Sequence, residues 1–444
     1  MNEENVINAM PEKDFFIRML VKDIGLTQVV PDLVDNCVDG ARRLRPEGNF
    51  EGLYVRIEID GNHFRIADNC GGIPVEIAKK YAFRFGRPKE MYEDQVNYPT
   101  IRSIGQFGIG MKRALFKLGS NFRITSTTET SRFVVKVNVD EWAKTDKWQF
   151  EFAELEEKKS PLDECGTDIY VSPLLNDVSE KFGLSNFVSQ IKLELEAKHT
   201  TSMDNGLAVS VNKVALNARD LPLIQSEHIR SGYKELTFFE DQESPVTVKL
   251  FVGIGPGDSE AYGWYIFCNG RLLLDADKTS LTGWGGGQKD DLNPRAHIQF
   301  NRFRGYAFFD SDDVSLLPWN TTKDGVDVDS ALFETVSLEM RSMMRPVLTF
   351  LDKVHRENQT DEDRPLATAI EQGKKVNVTG LTLQPRRFEW PTVTAKIAPT
   401  TTRIGYSRSV EQVNCLKSKL GLNSNKEVGE HTFDYFVQLL ECEE

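Results

Sequence analysis

Acidic and amide side chains recur along one predicted helix, residues 28–44. Apolar residues at helical spacing mark one side of this helix, and the other side carries Asp32, Asp35, Asn36 and Asp39. Because Asp32 and Asn36 are four positions apart, their side chains lie one above the other. A carboxylate stacked on an amide can serve a water molecule and a metal ion. An ordinary solvated acidic face is the competing interpretation.

Two glycine-rich segments follow the helix. Residues 68–72 (DNCGG) come directly after a predicted strand, and residues 105–112 (GQFGIGMK) open a predicted helix. Glycine lets the backbone pass close to a ligand, and backbone N–H groups at a helix N-terminus can hold phosphates. The candidate residues in these segments are Asp68, Gly71, Gly72, Gly105, Gly108, Gly110, Met111 and Lys112. Asp68 is alternatively a turn-capping aspartate, and Lys112 is alternatively a surface residue.

The elements that must position these residues are a helix and a hairpin. Residues 53–60 and 63–68 alternate in polarity around a Gly-Asn turn, which predicts two paired strands and places Asp68 at a strand end. Pro31 is expected in the first helical turn, where its missing N–H does no harm. Residues 86–104 are polar with two prolines, which favours either a mobile lid or an ordinary surface loop.

A second set of elements lies further along the chain. Residues 246–252 alternate as a half-buried strand, and residues 265–273 predict a hairpin around Asn269-Gly270. Lys323 stands in a loop directly before a predicted long helix over residues 330–354. It is either an exposed loop lysine or a cation that reaches a phosphate.

Composition limits the class of protein. The 444 residues are 40% hydrophobic and 27% charged, which is typical of a soluble globular protein of two or three domains. No apolar run is long enough for a membrane span, and the polar, acidic N-terminus is not a secretory signal. Six cysteines without a C-x-x-C pair indicate reduced thiols in a cytoplasmic protein. The net charge of −13 gives no support for nucleic-acid binding.

The three motifs occur in an order that resembles the GHKL ATPases, the superfamily of gyrase, the large heat-shock chaperone, histidine kinases, MORC proteins and MutL. The resemblance rests on D-x-x-D-N-x-x-D in a helix, strand-D-N-x-G-G, and G-x-x-G-x-G-x-K, followed by Gly166-Thr167 before a strand. It implies binding of ATP and Mg²⁺ on an α+β fold. That fold is a Bergerat α/β sandwich, then a transducer-like α+β domain of the MutL/MORC kind, then a small helical tail.

The resemblance also implies roles for individual residues. Asn36 would ligate Mg²⁺, Asp32 would orient or deprotonate the attacking water, and Lys323 would reach the γ-phosphate. Asp68 would accept a hydrogen bond from the adenine amino group, with support from the Thr167 hydroxyl. The chain departs from the family at two positions. Aspartate replaces the usual glutamate at residue 32, which predicts slow turnover, and Cys70 replaces a glycine, which puts the shape of the adenine pocket in doubt.

The resulting domain prediction has four parts. An ATP domain covers residues 1–180, a transducer-like domain residues 190–355, a connector residues 356–405 and a helical segment residues 406–444. The last segment shows helical spacing without recognisable chemistry, which favours a packing or dimer-contact element.

The expected function is Mg-dependent ATP binding and slow hydrolysis that drive an ATP-dependent homodimer or clamp. The family suggests DNA handling or defence against mobile elements beside a partner such as a nuclease. The alternatives are a non-hydrolysing nucleotide-gated scaffold, a chaperone-like ATPase and a histidine-kinase-like enzyme. The last is disfavoured because no histidine precedes His63.

Overall fold

The computed structural model divides into two compact units, residues 1–391 and 392–444. The residues it describes are 12–22, 24–86, 100–105, 108–285, 294–320, 322–360, 364–381, 384–391 and 404–440. None of the helices in this part of the chain combines the length and apolarity needed to cross a bilayer. The cysteines that it describes, four of them buried, are free thiols, as the sequence predicted.

An eight-stranded sheet lies in the N-terminal part of the first unit. Its strands are β1 (Tyr54–Ile59), β2 (Phe64–Asp68), β3 (Asn121–Thr127), β4 (Ser131–Asn138), β5 (Phe152–Glu157), β6 (Gly166–Val171), β7 (Ala208–Val211) and β8 (Val214–Ala215). The strand order is β5-β4-β3-β6-β2-β1-β7-β8, and only the β1–β7 pair is parallel. The predicted hairpin is confirmed, with Ile59 opposite Phe64.

Eight of the α-helices that the structure describes belong to the same part of the first unit as this sheet. They are α1 (Lys13–Lys22), α2 (Leu26–Leu44), α3 (Val75–Ile77), α4 (Gly110–Leu118), α5 (Val139–Ala143), α6 (Asn176–Phe182), α7 (Ser185–Lys198) and α8 (Thr200–Asp204). Helix α2 lies against α4, and their apolar faces join the main core. In α1, Ile17 and Val21 pack on that core while Phe15 remains exposed, so this helix is partly a core element.

A five-stranded sheet follows in the same unit. Its strands are β10 (Gly232–Phe238), β11 (Val246–Ile254), β12 (Gly263–Cys268), β13 (Arg271–Asp277) and β14 (Phe303–Asp310), in the order β10-β11-β14-β12-β13. The long helix α9 (Ala331–Thr360) packs against β11 and β14. The hairpin predicted around Asn269-Gly270 is confirmed as the β12–β13 connection.

The region predicted as a connector contains regular structure. Helix α10 (Pro365–Glu371) is followed by β15 (Lys374–Asn377), which pairs with β9 (Pro222–Gln225). The described part of the second unit consists of α11 (Val410–Leu420) and α12 (Asn425–Leu439), which agrees with the predicted helical spacing. The boundaries between the four predicted parts stay predictions.

Helix α2 begins earlier than predicted, and this changes the position of its proline. The helix starts at Leu26, so Pro31 lies inside it rather than in its first turn. The expectation for Pro31 was therefore wrong, because apolar spacing does not fix a helix start to better than a few residues. The core contacts of Val29, Val30, Leu33 and Val34, each at most 1% exposed, hold the helix in place despite the proline.

Candidate nucleotide-binding site

The acidic face of α2 is not solvated. Asp32, Asp35 and Asp39 are 2%, 1% and 6% exposed, whereas Asn36 is open to solvent. Buried carboxylates require cations or hydrogen-bond donors, because an unpaired charge in a low-dielectric interior is costly. The partners of these three residues therefore define the site.

Asp32 is held by two arginines. Its Oδ2 accepts a hydrogen bond from Arg113 at 2.8 Å, and its Oδ1 lies 3.4 Å from Arg271 Nη2. Arg113 comes from α4 and Arg271 from β13, so Asp32 joins α2 to a neighbouring helix and to a strand of the five-stranded sheet. A Cβ atom placed on Gly110 would lie 4.0 Å from Asp32 Oδ2, which puts this carboxylate beside the first residue of α4.

Asp35 is the centre of a buried charge cluster. Arg271 Nε donates to both of its oxygens at 2.8 and 2.9 Å, Lys323 Nζ lies 3.1 Å from Oδ2, and His199 Nε2 lies 3.0 Å from Oδ1. Burial acts to raise the pKa of the Asp35 carboxyl, but Arg271, Lys323 and His199 together hold that pKa well below its usual range. Burial lowers the pKa of the His199 imidazole despite the nearby carboxylate, so this ring is neutral at pH 7.

Lys323 reaches the site from the loop before α9. It is 9% exposed, lines the cleft, and has a φ of 54°, an uncommon conformation for a residue other than glycine. Its carbonyl accepts a hydrogen bond from Arg271 Nη1 at 2.9 Å. The structure therefore does not support the alternative of an exposed loop lysine, because a buried acidic partner fixes the ammonium group.

Asp39 fastens the second glycine-rich segment to α2. Its carboxylate accepts hydrogen bonds from the Ser103 hydroxyl at 2.9 Å, the Ile104 N–H at 2.7 Å and the Gly105 N–H at 2.9 Å. Asn269 also binds this segment, because its side-chain amide donates to the Ser103 carbonyl at 2.9 Å. The start of the glycine-rich segment is thus fixed by α2 on one side and by the β12–β13 turn on the other.

Asp68 lies at the end of β2 with several donors around it. Oδ1 accepts from the Cys70 N–H at 2.8 Å and the Thr167 N–H at 3.3 Å, and Oδ2 lies 3.3 Å from Cys37 Sγ. Burial raises the pKa of the Asp68 carboxyl, although these donors act in the opposite direction. The bond from the Cys70 N–H corresponds to the turn-capping interpretation, whereas the bond from the Thr167 N–H joins Asp68 to β6. They do not exclude a ligand, because Asp68 and Thr167 both line the cleft.

Cys70, the departure from the family pattern, is accommodated by a close approach of α2. Cys70 is 3% exposed, and a Cβ atom on Gly40 would lie 2.9 Å from Cys70 Cβ and 2.7 Å from its carbonyl oxygen. The missing side chain at Gly40 therefore makes room for the cysteine.

A glycine is required at residue 72. The φ of Gly72 is 68°, and a Cβ atom there would lie 2.2 Å from the Thr127 carbonyl oxygen.

The predicted residues surround one cleft of about 220 Å³. Those that line it are Asp32, Asn36, Asp68, Gly72, Gly105, Gly108, Gly110, Met111, Lys112, Thr167 and Lys323. Gly71 is adjacent in sequence but is not among the lining residues. Lys112 is buried, and its Nζ donates to the Ala82 carbonyl at 2.8 Å, so the surface alternative for Lys112 was wrong. Residues 87–99 of the predicted lid, and residues 106 and 107, lie outside the described residues.

Sequence reasoning missed several polar residues of this site. Arg113, His199 and Arg271 belong to the charge cluster, and Ser103 belongs to the loop attachment. Arg271 directly follows the Asn-Gly turn, which was the available signal. The sequence carries no signal for His199, because its partner Asp35 is 164 positions away.

The donor set fits ATP and Mg²⁺. Gly108 has a φ of 64° and Gly110 begins α4, so backbone N–H groups at a nine-residue helix start beside the cleft. Asn36 Nδ2 donates to the Asp32 carbonyl at 2.9 Å, and its other polar atom, the amide oxygen, is the kind of ligand that Mg²⁺ prefers. The described residues contain no cluster of three or more His, Cys, Asp or Glu side chains that could hold a metal.

The comparisons with known proteins point to the same part of the chain. Residues 24–168 match the family model described as histidine kinase-, DNA gyrase B-, and HSP90-like ATPase. No curated protein sequence matches the chain. The matched range contains α2, both glycine-rich segments and Thr167, whereas Lys323 and Arg271 lie beyond it. The match and the fold together identify residues 24–168 as a GHKL-type ATPase domain within a mixed α/β protein that has additional sheets.

Proposed function

We propose that the protein is a Mg-dependent ATPase with slow turnover that couples its nucleotide state to the arrangement of its two large sheets. This proposal rests on the position of Lys323, a lysine from outside the ATPase domain. It lines the same cleft as Asn36, Asp68 and the start of α4. A cleft with only the ATPase-domain residues could bind a nucleotide without influencing the rest of the chain.

Different residues of the cleft would bind different parts of the nucleotide. Asp68 and Thr167 receive the base, the glycine-rich segment and the first turn of α4 hold the phosphates, and Asn36 holds the cation. When bound, Mg²⁺ neutralises charge on the phosphate oxygens. Lys323 places a second positive charge at the transferring phosphoryl group, and Asp32 orients the attacking water.

The contacts of Asp32 support slow turnover. A general base needs a lone pair directed at the water, and here Arg113 and Arg271 already occupy one acceptor position on each carboxylate oxygen, which leaves fewer for the water. The aspartate side chain is also one methylene shorter than the glutamate of the family pattern. Both features leave the water less firmly oriented than in a fast ATPase.

Competition for Lys323 provides the coupling. Its ammonium group pairs with Asp35, with 3.1 Å between Lys323 Nζ and Asp35 Oδ2. A phosphate in the cleft competes with Asp35 for that ammonium, because both are anions. Lys323 also accepts a hydrogen bond from Arg271 through its carbonyl, so a shift of this loop changes the environment of β13. Nucleotide binding is thereby linked to the five-stranded sheet.

This coupling would serve an ATP-dependent homodimer in the cytoplasm. By analogy with MutL- and MORC-like proteins, the dimer would work in DNA handling or in defence against mobile elements beside a partner protein such as a nuclease. A second candidate function is a nucleotide-gated scaffold that binds ATP without hydrolysing it. The two arginines on Asp32 favour this alternative, since they compete with the water that Asp32 must activate.

The test is Mg-ATP hydrolysis as a function of protein concentration, for the wild type, Asp32→Asn and the control Asp275→Asn. Asp275 is 46% exposed at its side chain and pairs with Arg219 outside the cleft. Specific activity that rises with concentration, disappears in Asp32→Asn and persists in Asp275→Asn supports the dimerising ATPase. Tight ATP binding without turnover in all three proteins supports the scaffold. Absence of nucleotide binding refutes both.

A further inference from the structure

Asn269 occupies the first position of the two-residue turn between β12 and β13. Its φ of 45° and the φ of 73° at Gly270 are both positive, which is the backbone of the tight hairpin turn that Asn-Gly sequences favour. The turn requires only this backbone, so it leaves the Asn269 side chain available for other contacts. That residue is nevertheless only 1% exposed. A buried amide needs hydrogen-bond partners, because an unpaired polar group in the interior is costly.

The partners of Asn269 come from three parts of the first unit. Its Nδ2 donates to the Ser103 carbonyl at 2.9 Å and to the Ser311 carbonyl at 3.0 Å, and its Oδ1 accepts from the Ser311 N–H at 3.0 Å. Its backbone N–H donates to the Phe309 carbonyl at 2.8 Å, and its own carbonyl accepts from Arg42 Nη2 at 2.6 Å. Asn269 therefore joins the chain at Ser103, the end of β14 and α2.

Residues 103–105 form the fixed start of the glycine-rich segment. The N–H groups of Ile104 and Gly105 both donate to Asp39, so these two groups are not available to a phosphate. The backbone donors at Gly108 and at the start of α4 lie further along the chain. Three residues of extended chain span at most about 11 Å, so the position of Gly105 limits where the donor at Gly108 can lie.

We propose that Asn269 is a positioning residue for the phosphates of ATP, which it affects through residues 103–105 and not by contact with the nucleotide. Among the described residues, Ser103 and Gly105 line the cleft and Asn269 does not. This role rests on the proposed function, since it assumes that the cleft binds ATP. It gives the five-stranded sheet a second link to the nucleotide, separate from Lys323.

The chain after β14 supplies a neighbouring contact of the same kind. Asp312 Oδ1 accepts from the Arg102 N–H at 3.1 Å, and Asp312 directly follows the Ser311 that binds Asn269. Arg102 has a φ of 51°, an uncommon conformation for a residue other than glycine. Such a conformation persists where surrounding contacts fix the backbone. The five-stranded sheet thus holds two consecutive residues before the glycine-rich segment, through its β12–β13 turn and through the end of β14.

The test variant is Asn269→Gly, which removes the side chain and keeps the turn, because glycine adopts a positive φ without strain. Asn212→Gly is the matched control. Asn212 has a φ of 51° in the turn between β7 and β8, at one edge of the eight-stranded sheet. Its side chain also holds a neighbouring segment, by accepting from the Ile59 N–H at 2.8 Å and donating to the Ile59 carbonyl at 2.9 Å.

Displacement of a fluorescent ATP analogue from the full chain measures the affinities for ATP and AMP. Asn269→Gly should raise the Kd of ATP about ten-fold and change the Kd of AMP less than about two-fold, because AMP lacks the β- and γ-phosphates. Asn212→Gly should leave both values unchanged. Partial unfolding would weaken both nucleotides by the same factor, so the ratio of the two Kd values separates positioning from stability. An unchanged ratio in Asn269→Gly would overturn the proposal.

Hydrogen exchange without nucleotide is the measurement that does not depend on ATP binding. The amide hydrogens of Ile104 and Gly105 should exchange about ten-fold faster in Asn269→Gly than in the wild type or in Asn212→Gly. Unchanged exchange would overturn the proposal, whatever the affinities. A wild type that binds no ATP would refute the proposed function. In that case faster exchange would still support the role of Asn269 in fixing residues 103–105, and unchanged exchange would refute that role as well.

Discussion

Replacing Arg271 with methionine removes the guanidinium group that links β13 of the five-stranded sheet to α2 and to the loop that carries Lys323. This side chain is fully buried and contacts Asp35, Asp32 and the Lys323 carbonyl. Methionine preserves much of the aliphatic volume, so lost charge and not a cavity dominates the effect. Removing one partner of a buried ion pair costs about 3–5 kcal/mol, since the other charge is left without compensation.

The pH dependence separates this explanation from a simple packing defect. In the wild type the pKa of Asp35 is depressed, so its contribution to stability is present above the unfolded pKa and is lost as pH falls through the folded pKa. Without Arg271, its positive charge no longer offsets the effect of burial on the Asp35 carboxyl, so the pKa of Asp35 rises. A protonated carboxyl needs no cation, so the difference in unfolding free energy between variant and wild type should shrink as the pH falls from 7 toward about 4.

The assay is urea unfolding followed by tryptophan fluorescence at both pH values. All six tryptophans precede residue 392, so the signal reports on the first unit. Arg132→Met is the matched control, because Arg132 also contacts two carboxylates, Glu154 at 3.0 Å and Glu156 at 3.2 Å, but does so at the surface. That control should lose no more than about 1 kcal/mol. A similarly small loss in Arg271→Met, or a loss independent of pH, would refute the reasoning.

Three further predictions concern the cleft and its walls. Asp68→Asn should weaken ATP binding about ten-fold or more in calorimetry, because a charged acceptor is replaced by an amide; an unchanged Kd would remove Asp68 from the base site. Lys323→Ala should lower kcat by roughly a hundred-fold while ATP affinity changes far less, and an unaltered rate would exclude Lys323 from the chemistry. Gly72→Ala should lower the Tm sharply, because its Cβ would lie 2.2 Å from the Thr127 carbonyl oxygen; a Tm within a degree of the wild type would show that the loop can relax.

Local patterns were sufficient for several elements and for many, though not all, of the residues that line the cleft. The β1–β2 hairpin, the β12–β13 turn and the helical spacing of α2 depend on neighbours a few positions apart, which a sequence shows directly. The start of α2 was less certain, and Pro31 was assigned to the wrong turn, because a helix terminus depends on caps and packing as well as on periodicity.

By itself, the sequence determined the order of the nucleotide-binding motifs, the residue types in the cleft and the two glycine-rich segments. Only the tertiary structure decided that the acidic face of α2 is buried and which cations neutralise it. The partners of Asp35 are 164 to 288 positions away, and Arg113 is 81 positions from Asp32. The physical reason is that an amphipathic helix pattern records which side is apolar, whereas the charges that face its polar side come from distant elements brought there by folding.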